Sequence, residues 1–141
     1  MSVPVTAECY GIKFSKNTTP ILGTTGNDKI NGTPGNDFIL SFEGVDTVKG
    51  GAGNDCIVGV SGVKKFDGGA GNDGIIGGSS NDNLDGGAGN DVISGGLGND
   101  IIKGDAGNDN LVGGAGNDII DGAAGKDVCS AEITKSCESG I

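Results

Sequence analysis

The chain contains no histidine, arginine or tryptophan, and aromatic residues make up 4% of it. Without histidine it lacks the side chain best suited to moving protons near neutral pH and the commonest nitrogen ligand of zinc. Its serines have no base close by in sequence, so nucleophilic catalysis is unsupported. Nine lysines stand against nineteen acidic residues, a net charge of −10 that excludes the basic footprint needed to bind nucleic acid. No run approaches the roughly 18 apolar residues of a membrane-spanning helix, and the first 25 residues lack the charged start and apolar stretch of a signal peptide. With 31 glycines in 141 residues, the composition also argues against an ordinary packed core. A disordered chain shares that composition, so the order of residues has to separate the two.

That order is strict. Gly-Gly-Ala-Gly-Asn-Asp occurs at 50–55, 68–73, 86–91 and 113–118. Glycines 26, 35, 44, 53, 62, 71, 89, 98, 107, 116 and 125 fall on a nine-residue lattice of twelve nodes, with Ser80 at the remaining one. Two residues after each node stands an aspartate: Asp28, Asp37, Asp46, Asp55, Asp73, Asp82, Asp91, Asp100, Asp109, Asp118 and Asp127. Lys64 alone breaks the series. Two residues further comes Ile30, Ile39, Val48, Ile57, Phe66, Ile75, Leu84, Ile93, Ile102, Leu111, Ile120 and finally Cys129. One inward residue per nine fits a three-residue strand, and the other six form a turn open to glycine and asparagine. Strand and turn in alternation make a solenoid.

The unit Gly-Gly-x-Gly-x-Asp-x-apolar-x resembles the nonapeptide of the RTX (repeat-in-toxin, hemolysin-type calcium-binding) family from Gly26 to about Ile133. The resemblance implies an all-β fold: a right-handed parallel β-roll of twelve units in about six coils, with Ca2+ bound at its turns. The expected division is a capping segment at 1–25, the roll at 26–133 and a disulfide-capped tail at 134–141.

In a β-roll two units make one coil, so like turns stack eighteen residues apart. One edge stacks Asp28, Asp46, Lys64, Asp82, Asp100 and Asp118, and the other Asp37, Asp55, Asp73, Asp91, Asp109 and Asp127. Stacked carboxylates repel unless a cation lies between them, and calcium takes six to eight oxygens from carboxylates and carbonyls. The expected ligands are the eleven aspartates with the carbonyls of Gly51, Gly53, Gly69, Gly71, Gly78, Gly87, Gly89, Gly96, Gly98, Gly107, Gly114 and Gly116. Removing the eleven aspartates from the net charge of −10 leaves +1, so the negative charge is the site. Asn-Asp pairs also favour tight turns, but that explains neither the exclusion of glutamate nor the constant register. Twelve units give ten pairs eighteen residues apart, and Lys64 removes two, leaving up to eight calcium sites. Ser41-Phe42-Glu43, Val45, Val63, Asp105 and Ala123 depart from the consensus. The Lys64 ammonium is expected to lie between Asp46 and Asp82 in place of the metal.

The outward positions of the two sheets differ. One sheet presents Lys29, Asn31, Thr47, Lys49, Lys65 and Asp67, with Ile101 and Ile119 as exceptions, and reads as solvated. The other presents Phe38, Leu40, Cys56, Val58, Ile76, Val92, Val112 and Val128 and reads as covered. Its cover is expected to be residues 3–22, with Val3, Val5, Tyr10, Ile12, Phe14, Ile21 and Leu22, or else another copy in a homo-oligomer or polymer. Four cysteines in a chain with little core fit disulfides and an oxidising location. Counting leaves three pairings open; Cys129 with Cys137 would fold back the tail, and Cys9 with Cys56 would pin the first segment. No CxxC pair supports zinc.

These features point to a non-catalytic calcium-binding module, secreted or at the cell surface, that folds as it binds calcium. The alternative is a self-assembling subunit of an extracellular filament, sheath or matrix. No threonine ladder supports ice binding.

Overall fold

The computed structural model describes residues 19–131, 133–135 and Cys137. They form parallel strands in two seven-stranded sheets. One sheet holds β1 (Ile21–Leu22), β3 (Phe38–Phe42), β5 (Cys56–Gly59), β7 (Gly74–Ser79), β9 (Val92–Leu97), β11 (Asn110–Gly114) and β13 (Val128–Ser130) in that order. The other holds β2 (Lys29–Asn31), β4 (Asp46–Lys49), β6 (Lys64–Asp67), β8 (Asn83–Asp85), β10 (Ile101–Lys103), β12 (Ile119–Asp121) and β14 (Ile133–Lys135). The architecture is a parallel β-solenoid of about six turns, as the nine-residue period predicts. Among the described residues no helix is long and apolar enough to cross a membrane.

Register follows the lattice. Ile39 lies beside Ile57, Ile57 beside Ile75, Ile75 beside Ile93 and Ile93 beside Leu111, each step being eighteen residues. Side chains alternate across a strand, so these residues face the opposite sheet, where Val48, Phe66, Leu84, Ile102 and Ile120 meet them fully buried. The last step is shorter: Ile119 pairs with Ile133, fourteen residues on. No Gly-Gly-x-Gly-x-Asp turn lies between Cys129 and Ile133, and the Cys129–Cys137 disulfide, with Cα atoms 5.8 Å apart, closes that end.

The outer face of the β1–β13 sheet is covered at one end only. Phe38 and Cys56 are buried with Leu40 and Val58 packed against them, whereas Val112 and Val128 are 39% and 47% exposed. Of the expected cover, residues 1–18 lie outside the described residues. Ile21 and Leu22 do not lie across this face: they extend the sheet as β1, with Ile21 beside Ile39 and Leu22 beside Leu40. Continuing the eighteen-residue step backwards makes Ile21 a thirteenth inward position that the glycine lattice did not mark, while Leu22 points outward and is exposed. Ile101 and Ile119 are exposed on the other sheet, as their outward positions require.

Candidate metal centre

The turns bury charge rather than hydrocarbon. Asp55, Asp73, Asp82, Asp91, Asp100, Asp109 and Asp127 are each at most 2% exposed. The inward direction that brings the apolar residue into the core also turns the aspartate two positions earlier into the turn.

Each carboxylate has one oxygen satisfied by the coil before it. The backbone N–H of Asp73 donates to Oδ1 of Asp91, and Asp55 to Asp73, Asp91 to Asp109, Asp82 to Asp100 and Asp109 to Asp127 repeat the bond at 2.7–2.8 Å. The other oxygen differs. Oδ2 of Asp55, Asp73, Asp82, Asp91, Asp100, Asp109 and Asp127 is buried without any hydrogen-bond donor. Such atoms are rare in folded proteins and call for a partner.

Asparagine completes the stack in the opposite sense. Asn72 donates its N–H to Oδ1 of Asn54, Asn90 to Asn72 and Asn108 to Asn90, all at 2.8 Å. Aspartate therefore accepts from the coil before and asparagine from the coil after. As turn formers alone these asparagines would carry no ladder; their recurrence beside every lattice aspartate except Asp46 and Asp127 is the signal of one in the sequence.

Backbone conformation opens the turn. Gly71 and Gly89 both have φ of 115°, and a Cβ on Gly89 would strike the carbonyl of Gly71. The position four residues before the aspartate takes positive φ even where it is not glycine: Phe42 at 64°, Asp105 at 67° and Ala123 at 63°. The departures from consensus thus keep the turn's shape. Around Gly50, a Cβ would lie 2.5 Å from Oδ2 of Asp55 and 2.7 Å from the carbonyl oxygen of Gly68. The absent side chain leaves room where a carboxylate and a carbonyl from the next coil converge. Among the described residues no three acidic, thiol or imidazole side chains converge on one point, so backbone carbonyls must complete any metal shell here.

A match to the family model of the RTX calcium-binding nonapeptide repeat covers residues 22–62, 67–102 and 94–129, most of the chain. The chain belongs to the RTX calcium-binding repeat family. No curated protein matches it. Between 22 and 129 the RTX match omits only residues 63–66, the stretch around Lys64.

Lys64 shows what an RTX turn does with a cation. Its side chain is fully buried, and Nζ donates to the carbonyls of Phe42 and Gly44 at 2.7 and 2.8 Å and to Oδ2 of Asp46 at 2.5 Å. The expectation that the ammonium lies between Asp46 and Asp82 is corrected: Nζ serves the Asp46 turn alone. Asp82 receives the backbone N–H of Lys64 on Oδ1, and its Oδ2 has no donor. The three oxygens come from positions four and two before the aspartate and from the aspartate itself. By the repeat, the matching set at Asp73 is Gly69, Gly71 and Asp73, and at Asp91 Gly87, Gly89 and Asp91. A hard cation fits that donor set.

The first two RTX turns are built differently. Thr24 donates its N–H to Oδ2 of Asp28 and its hydroxyl to Oδ1, and Thr33 treats Asp37 the same way at 2.6 and 2.7 Å. Gly26 and Gly35, unlike the later node glycines, do not have positive φ. Sequence reasoning passed over these threonines, although each stands where later units have glycine.

Burial raises the carboxylates well above the ordinary 3.8. It lifts Asp91 to about 8, Asp73 to about 7 and Asp55 to about 6; repulsion from the stacked neighbour adds to this, and the accepted N–H offsets part of it. Asp100 is raised to about 7 and Asp109 to about 6 for the same reasons. Asp82 reaches about 6 by burial alone, with Lys64 pulling it down.

Proposed function

We propose that this protein is a non-catalytic, calcium-binding β-roll that works outside the cell and whose ordering is coupled to calcium held between stacked turns. The observation that carries the reading is the row of buried Oδ2 atoms without donors, in turns whose counterpart at Asp46 gives two carbonyls to a tethered ammonium. The proposed ligands are Asp55, Asp73, Asp82, Asp91, Asp100, Asp109, Asp118 and Asp127 with the turn carbonyls before them. Asp28 and Asp37, hydrogen-bonded by threonines, bind weakly, and Asp46 is taken by Lys64. A divalent cation at these turns replaces proton and repulsion with oxygen coordination.

Extracellular calcium sites work at roughly 0.1–1 mM, so such a roll stays loose inside a cell and orders on export. The Cys129–Cys137 disulfide and the absence of free thiols among the described residues support an oxidising location. Exposed Val112 and Val128 favour the second reading, a self-assembling subunit using that sheet face.

Circular dichroism with light scattering tests both as calcium is titrated into chelated protein. A gain of β signal at constant size supports the isolated roll, and growth into long particles supports the polymer. No response at millimolar calcium overturns both.

A further inference from the structure

The cation-binding oxygens at Asp46 are occupied by the chain itself, and the same part of the roll gathers other interactions that involve no metal. Lys64 and Phe66 are the two largest fully buried side chains of the molecule, neighbours in β6. The lysine stem lies over Gly59, where a Cβ would come within 2.9 Å of Cε. Across the roll, Phe38 and Cys56 are buried together with Leu40 and Val58, and Cys56 is disulfide-bonded. Asp46 and Lys64 form an ion pair with both side chains fully buried. Phe42 holds a φ of 64°, unfavourable for a bulky residue, and its carbonyl is one of the two that receive the ammonium. Val45 and Val63 stand at asparagine positions and offer no side-chain acceptor to the next coil, although the N–H of Val45 still donates to Oδ1 of Asn27 at 2.9 Å.

The coils beyond it are the reverse. Asp73, Asp82, Asp91, Asp100, Asp109 and Asp127 each bury an Oδ2 that lacks a donor, as Asp55 does within the stretch, and Gly74 replaces the outward apolar residue of β3 and β5. Without a cation their turns hold stacked acid groups. The Asp46 turn has its cation covalently supplied.

We propose that Lys64 is a built-in cation at a calcium position, making residues 38–67 a seed on which the metal-dependent coils order. The seed needs no calcium on its Asp46–Lys64 edge, the Asp55 turn on its other edge still taking the metal. The proposal rests on the calcium reading above and concerns its regulation: calcium extends a roll whose first coils are already formed. Extension is then a propagation along a stack, in which each new coil meets a finished edge instead of nucleating alone.

Hydrogen exchange of the full chain, disulfides intact, at constant pH with chelator and then with millimolar calcium, tests it. In chelator the amides of β4, β5 and β6 should exchange at least about tenfold more slowly than those of β9 to β12, and calcium should slow the latter. Uniform fast exchange in chelator overturns the seed. Slow exchange confined to β4–β6 that calcium does not extend supports the seed and overturns the calcium reading.

Two variants isolate the lysine. K64M should abolish the protection seen in chelator. Because it leaves Asp46 buried without a counter-ion and can lose the fold outright, K64D is the second variant. K64D should bind at least one calcium more than the parent by calorimetry and order β4–β6 only when calcium is present. An unchanged calcium count, or β4–β6 still protected in chelator, overturns the assignment.

Discussion

The backbone N–H of Asp73 lies 2.8 Å from Oδ1 of Asp91, eighteen residues further along the chain, while Oδ2 of Asp91 has no donor. One carboxylate thus ties two coils together with one oxygen and offers the other to the turn. Stability and metal binding therefore share a residue, and changing one should change the other in a definite direction.

The metal-free roll should weaken as pH rises. Asp73, Asp91 and Asp100 are raised to about 7, 8 and 7 from the ordinary 3.8, so the folded state binds protons more tightly than the unfolded chain. Their contribution to stability is full below about pH 4 and is lost as pH rises through 6 to 8. In chelator, circular dichroism should show more β structure at pH 5 than at pH 8.5. Millimolar calcium at pH 8.5 should restore it, and calorimetry near pH 7 in two buffers of different ionisation heat should show proton release on binding.

Asp91→Asn separates the two duties of the side chain. The amide oxygen still accepts the N–H of Asp73, but the charge is gone. Calcium affinity at the adjoining turns should fall about tenfold, since ligand charge tunes such sites. In chelator at pH 8 the variant should be no less ordered than the parent, because it removes a buried acid. Titration calorimetry and denaturation read the two effects independently.

Gly89→Ala should raise the calcium needed for folding, whereas Gly26→Ala should not. Gly89 has φ of 115° and no room for a Cβ against the carbonyl of Gly71; Gly26 lacks positive φ, and its nearest contact would be Thr24 Oγ1 at 3.5 Å. The strained substitution should cost about 1–3 kcal/mol. Calcium midpoints measured by circular dichroism would show the contrast.

Breaking the Cys129–Cys137 disulfide should loosen the last coil locally. A loop of eight residues loses about 2–3 kcal/mol of stabilisation when opened. In Cys137→Ser, hydrogen exchange should speed up in β13 and β14 with calcium present, while β7 and β9 remain protected.

Much of this site was legible in the sequence because a solenoid repeats in one dimension. The positions of Asp55, Asp73, Asp91 and Asp109 follow from counting nine, and counting eighteen places them in one stack. Lys64 stood out as the wrong charge in that count. Thr24 and Thr33 did not, since a threonine in place of glycine looks like a minor departure until its N–H and hydroxyl are seen to close on Asp28 and Asp37. Phe42, Asp105 and Ala123 read as defects but keep the left-handed conformation of the glycines they replace, because stacking on neighbouring coils outweighs the local preference.

By itself the sequence determined the period, the two sheets, the inward row from Ile39 to Ile120 and the carboxylates that line each edge. These depend on alternation along a strand and on equal spacing, which are local properties of the chain. Only the tertiary structure decided which oxygen of each aspartate stays without a donor, that the asparagine and aspartate ladders run in opposite senses, and that Lys64 reaches the Asp46 turn. It also decided that the outer face is buried at Phe38 and Cys56 yet open at Val112 and Val128. Each of these turns on the direction of a bond or the presence of a cover, and direction along a stack exists only once one coil lies upon another.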